Sequence, residues 1–123
     1  VVLSCGVNDT VMEDGKMRVS LEESCENLRQ MIASAKNFTM LIVGPPPVDD
    51  EAQNTRIHAL SRAFSHETER LGVPYIDLYT PLSVDNAYKK DVVNQDGYHP
   101  NSYGYSQIAR IVASSPHWWF NAP

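Results

Sequence analysis

The chain has 123 residues and a formal net charge of −5, from 10 Lys and Arg against 15 Asp and Glu, which suits one domain and not two. At 42% hydrophobic and 20% charged residues, it can build an ordinary core and does not have a disordered composition. The acidic balance, with a sequence pI of about 5.2, argues against a nucleic-acid surface, and no apolar run approaches the roughly 20 residues of a membrane span.

The opening Val1-Val2-Leu3-Ser4 is apolar, with no Met and no signal peptide before it. It reads as the interior of a longer protein. The cytoplasm is slightly favoured, and a secretion signal could lie upstream. Residues 1–4 are β-branched or apolar and are followed by Gly6 and Asn8-Asp9, which predicts a buried strand ending in a turn. Ser20 followed by Glu23 is a capping box. Leu21, Cys25, Leu28, Ile32 and Ala35 then recur at helical spacing, and Asn37 is the expected stop. Cys5 and Cys25 read as two small buried hydrophobes, since neither has a local base or an electropositive setting.

Residues 38–43 (FTMLIV) form a continuous apolar run, as a parallel strand covered on both faces requires. Gly44-Pro45-Pro46-Pro47 ends it in a stiff loop. Asp49 and Asp50 are expected to open a second helix, with Ile57, Leu60, Phe64 and Leu71 buried and Gly72 at its end. Residues 73–79 (VPYIDLY) predict a third strand, followed by an irregular stretch from Pro81 with one short helix over 84–90. After a turn at 96–100, Asn101 is expected to cap a last helix that buries Tyr105, Ile108, Ile111 and Val112. Trp118-Trp119-Phe120 is expected to be packing surface. Strand and helix alternate three times, which is the α/β pattern of a parallel sheet.

Two short segments can carry chemistry. Gly6-Val7-Asn8-Asp9-Thr10 follows the first strand, and ligands of parallel sheets bind at strand carboxyl ends. There Asn8 can donate its amide to a developing oxyanion, with Gly6 leaving room, or it can simply close an Asx-turn. Asp96-Gly97-Tyr98-His99-Pro100 precedes the last helix. A carboxylate three residues from an imidazole can fix its tautomer and support it as a general base. An Asp-Gly bend beside a surface His has the same local sequence.

Taken together and in this order, Gly6-Val7-Asn8-Asp9 and Asp96-Gly97-Tyr98-His99 resemble the G-x-N-D and D-x-x-H blocks of the SGNH hydrolases, the GDSL-type esterases and lipases. The apolar strand, the Gly-Pro loop and the V-P-Y-I-D strand between them are also similar, so the resemblance covers nearly the whole chain. It implies a three-layer α/β/α flavodoxin-like fold with a parallel sheet, represented here by its last three strands and their helices. It implies a carboxyl-ester hydrolase working through a Ser-His-Asp triad and an acyl-enzyme, without a metal or organic cofactor. Asn8 would be an oxyanion donor, His99 the general base and Asp96 its partner. Asp9 and Asp77 would be structural, and Gly6 and Pro45 would lie at the substrate. Acetyl esters, short lipid esters and thioesters fit as small substrates.

The nucleophile of that family is a Ser in a G-D-S block, and this sequence has no such block. Ser4 lies inside the predicted strand and does not replace it. The expectation is therefore that the nucleophile lies outside this chain, in a missing N-terminal segment or on a partner chain. A different class of reading is a non-catalytic fragment, subunit or pseudoenzyme. A metal-dependent phosphoesterase using Asn8, Asp9 and His99 fits less well, because His58 and His66 fall on a predicted helix away from the rim.

Overall fold

A computed structural model describes residues 1–121. Its central strand is β4 (Leu41–Val43), with β1 (Val2–Ser4) parallel on one side and β5 (Tyr75–Ile76) parallel on the other. Val2, Leu3 and Ser4 stand opposite Leu41, Ile42 and Val43, while Ile42 and Val43 stand opposite Tyr75 and Ile76.

All three β4 residues are buried because successive side chains leave a strand on opposite faces and both faces are covered. Ile42 packs with Cys25, Leu28 and Ile32 of α1 (Leu21–Ser34) and with Leu60 and Phe64 of α2 (Glu51–Leu71). Leu41 and Val43 pack on the other side with Ile76, Leu78, Leu82, Tyr88 and Val92. That second layer comprises α3 (Tyr79–Ser83), α4 (Asn86–Gln95) and α5 (Ser102–Ser114), the last contributing half-buried Ile108, Ile111 and Val112. Helices on both faces of a parallel sheet give the α/β/α layering expected for an SGNH fold.

The helix signals hold at the starts of the first two long helices. Ser20 Oγ accepts from Glu23 N (3.2 Å) ahead of α1, and Asp50 Oδ1 accepts from Gln53 N (2.8 Å) ahead of α2. Gly72 ends α2 with φ +67, a conformation that disfavours side chains bearing a Cβ. Asp49 does not join that helix; its N–H goes to Gly97 O (2.7 Å).

Several expectations change. The second strand begins at Leu41, because the chain is still leaving α1: Phe38 N donates to Ala35 O and Phe38 is 65% exposed. The third strand is only Tyr75–Ile76, since Asp77 Oδ1 accepts from Thr80 N and turns the chain into α3. The short helix runs over Asn86–Gln95, capped by Asp85, whose Oδ1 accepts from Ala87 N and Tyr88 N. Leu21, Leu71 and Tyr105 face solvent, and Phe120 is 73% exposed while Trp118 and Trp119 pack part-buried on the second cluster. Cys25 is buried and Cys5 half-buried, both as free thiols, and burial pushes both thiols up from their ordinary pKa.

An antiparallel hairpin of β2 (Met12–Glu13) and β3 (Lys16–Met17) lies between β1 and α1. Its two-residue turn has positive φ at both Asp14 (50°) and Gly15 (78°). Asp-Gly is the preferred pair for such a turn, so the signal was present in the sequence. No helix among the described residues is long and apolar enough to cross a membrane.

Candidate active site

The segment after β1 folds into one 3-10 turn, Asn8–Thr10. Thr10 N and Thr10 Oγ1 both donate to Val7 O, at 3.2 and 2.7 Å. Two side chains of α2 hold the turn from behind. Gln53, fully buried, donates from Nε2 to Val7 O (3.2 Å) and Thr10 Oγ1 (3.1 Å). Arg56 Nε donates to Thr10 O (2.8 Å). From α1, Ser24 Oγ donates to Asp9 Oδ2 (2.8 Å), and the Asp9 carbonyl accepts from Val19 N (3.1 Å). Asp9 is thus tied into the scaffold on both sides.

Asn8 differs from its neighbours. Its backbone carbonyl accepts from Val11 N, yet its side chain is exposed and makes no hydrogen bond among the described residues. The Asx-turn anticipated as an alternative does not form at Asn8, and its amide is left free to donate. Gly6 has φ +116, where a Cβ is strained. A Cβ there would also lie 2.9 Å from Leu60 Cδ2, 3.3 Å from Phe64 and 3.7 Å from Pro45. The room that Gly6 makes is therefore filled by α2 and the proline loop. Gly6 and Pro45 are both buried.

The second segment is the turn between α4 and α5. Asp96 Oδ1 accepts from Tyr98 N (2.8 Å) and His99 N (2.7 Å), while Asp96 Oδ2 lies 2.8 Å from His99 Nδ1. The backbone bond from His99, then its ring and the Tyr98 amide, lower the Asp96 pKa from 3.8 to about 2. An ionised carboxylate only accepts, so Nδ1 carries the shared proton, and in the neutral imidazole Nε2 keeps its lone pair. The two side chains are 69% and 45% exposed, so this pair is open to solvent on the present surface.

The loop after β4 joins the two segments. Pro45 packs against Gly6 at its start, and Asp49 N holds Gly97 O at its end. Buried Asn54 braces the loop between them, donating to Val48 O and accepting from Val48 N, both at 2.8 Å. Gly6–Thr10 and loop 44–50 both leave carboxyl ends of strands, and the bond to Gly97 brings the His99 turn to the same edge. Sequence reasoning missed Gln53, Asn54 and Arg56. The available signal was a pair of uncharged polar residues, Gln53 and Asn54, in the first turn of an amphipathic helix, where Gln53 sits one turn before Ile57 on the buried stripe. His58 is exposed on α2 and stacks on Tyr79 with ring centroids 4.8 Å apart. No group of three or more His, Cys, Asp and Glu side chains suited to a metal occurs among the described residues.

The site so described is a three-strand parallel sheet between helical layers, with an Asn turn and an Asp-His turn at its carboxyl edge. The chain matches the model of the GDSL-like Lipase/Acylhydrolase family over residues 1–107 and belongs to that family. Among solved structures it is similar to a lipase/acylhydrolase from Enterococcus faecalis, with a TM-score of 0.76 and 23% identity over 90% of this chain and 57% of that one. It is also similar to a catalytic mutant of the acetylxylan esterase Axe2 from Geobacillus stearothermophilus, with a TM-score of 0.64 and 18% identity over 89% of this chain and 55% of that one. The chain thus spans a little over half the length of each. No curated protein matches it.

Proposed function

We propose that this chain supplies the general base and an oxyanion donor of a carboxyl-ester hydrolase whose serine nucleophile lies outside it, on an adjoining segment or a partner chain. The observation that carries the reading is the ionised Asp96 holding His99 Nδ1, with the free Asn8 amide at the same sheet edge. Membership of the GDSL-like family supports the ester-hydrolase class.

His99 Nε2 takes the proton of the serine hydroxyl as its oxygen attacks the ester carbonyl. Asn8 donates to the carbonyl oxygen as it becomes an oxyanion. Asp96 stabilises the imidazolium that forms. The imidazolium then protonates the leaving alcohol as the tetrahedral intermediate collapses to the acyl-enzyme. Water, deprotonated by the same imidazole, attacks the acyl carbonyl; collapse of the second intermediate releases the acid and returns the proton to the serine. Small esters of the acetyl or short-acyl kind are the substrates this reading implies, with buried Gly6 and Pro45 packed together behind the Asn8 turn. No step requires a metal or organic cofactor.

The test is a series of variants in a protein where this chain is joined to a segment bearing a Gly-Asp-Ser block. Asn8→Ala is expected to lower kcat by about 10²–10³ with little change in KM, because its bond strengthens mainly in the transition state. His99→Ala is expected to cost more, since the serine loses its base. Asp96→Asn is expected to fall between the wild type and His99→Ala. A folded His99→Ala variant with near-normal kcat/KM would show that the Asp96–His99 turn is only a bend into the last helix.

A further inference from the structure

Two consecutive residues of α4 hold the two ends of the turn that carries His99. Val92 O accepts from Gly97 N (3.0 Å), just after Asp96. Asp91 Oδ2 accepts from Asn101 N (2.7 Å) and Gly104 N (2.9 Å), beyond His99. The first N–H groups of a helix have no partner within it, and the residue at the helix start usually satisfies one with its own side chain. Asn101 holds that position, contrary to the sequence expectation, without making the bond. The carboxylate of a neighbouring helix takes its place.

Gly104 makes this approach possible. A Cβ there would lie 3.0 Å from Asp91 Oδ2 and would overlap the buried Pro100 that follows His99. Backbone on both sides of His99 is therefore fixed to α4, and the His99 amide is fixed to Asp96. The remaining freedom is rotation of the His99 side chain, which the bond from Nδ1 to Asp96 Oδ2 removes.

We propose that Asp91 is a positioning residue for His99: by binding the amides of Asn101 and Gly104 it fixes the chain after the imidazole, so that Nδ1 stays on Asp96 and Nε2 faces outward. The proposal rests on the reading of His99 as the base. Asp91 acts through acceptor geometry and has no bond to the imidazole ring.

The test is nitrogen NMR of this chain with labelled histidine, at a pH where the imidazole is neutral. Protonated and unprotonated ring nitrogens have well-separated shifts, so the tautomer is read directly. His99 is assigned among the four histidines by comparison with His99→Gln. The wild type is expected in the Nδ1–H form. Asp91→Asn is expected to keep it, because its carboxamide oxygen can accept from both amides. In Asp91→Ala the Nδ1–H share is expected to fall severalfold toward the Nε2–H form that a free imidazole prefers. Asp91→Glu, which keeps the charge but misplaces it by one methylene, is expected to fall in the same direction. A merely structural role would lower the melting temperature of the Ala variant and leave the tautomer alone. A folded Asp91→Ala variant with the wild-type tautomer overturns the proposal while leaving the role of His99 standing. If the Ala variant does not fold, an unchanged tautomer in Asp91→Glu overturns it equally. A wild-type ring in the Nε2–H form overturns both the positioning and the base.

Discussion

Asp96 sits at the end of a helix with an exposed side chain, where a carboxylate would ordinarily titrate near 3.8; the bonds from His99 and Tyr98 bring it to about 2. A lowered folded-state pKa stabilises the turn fully above the ordinary value, and that contribution is lost as pH falls from about 3.8 through about 2. Carbon NMR of the Asp96 carboxyl is expected to show a midpoint near 2, and His99→Ala is expected to raise it only part of the way. The backbone amides at 98 and 99 remain in that variant, and the residue-99 amide is the largest cause of the shift. A wild-type midpoint at the ordinary value would contradict the hydrogen-bonded geometry. Gly6 offers a second residue-scale test. Ala there meets both a strained φ of +116 and the Leu60 side chain at 2.9 Å, so Gly6→Ala is expected to destabilise by about 1–3 kcal/mol in urea unfolding. A neutral Gly6→Ala would mean that the turn is not seated on α2 as described.

Among the elements, α2 links the core to the site. Its middle buries Ile57, Leu60 and Phe64, the last two in the first core cluster, and its first two turns hold the Asn8 turn through Gln53 and Arg56. Phe64→Ala is expected to cost about 3–5 kcal/mol, because a fully buried ring leaves a cavity between α2 and the sheet. Leu71→Ala, at a position 42% exposed, is expected to stay within about 0.5 kcal/mol. Equilibrium unfolding of the two variants separates them, and equal losses would contradict the helix register. That register was mostly legible in the sequence, because the 3.6-residue period and the caps at Ser20, Asp50 and Gly72 are local properties. Leu71 was misread because the stripe was carried one turn past the sheet it packs on. The strands were legible by their apolar runs but not by their ends: Phe38 and Tyr79 have the character of strand residues, yet the turns at Ala35 and Asp77 decide where pairing starts and stops. Asn8, Asp96 and His99 were singled out because each stands in a short motif. Gln53 and Asp91 were not, since their partners lie across the fold or at the start of another helix, and Asn54 was not, because its bonds to Val48 depend on the path of the loop before α2.

At the scale of the whole molecule, β1 pairs only with β4 among the described residues, and Val1 and Val2 are 50% and 45% exposed. An unpaired strand edge with apolar side chains is a template for another chain. The isolated chain is therefore expected to associate at micromolar concentration despite its net charge of −5, and Val2→Lys is expected to weaken that association. Sedimentation of both forms checks this, and a wild-type monomer with a cooperative melt would contradict it. The most direct test of the site's assignment is the turnover of a chromogenic short-chain acetate by this chain, alone and joined to a segment bearing a Gly-Asp-Ser block. The chain alone is expected to show no saturable hydrolysis, and the joined protein to reach at least about 1 per second, an ordinary enzymatic rate. Turnover at about 1 per second or faster by the chain alone would contradict the assignment, because one of its own serines would then be the nucleophile.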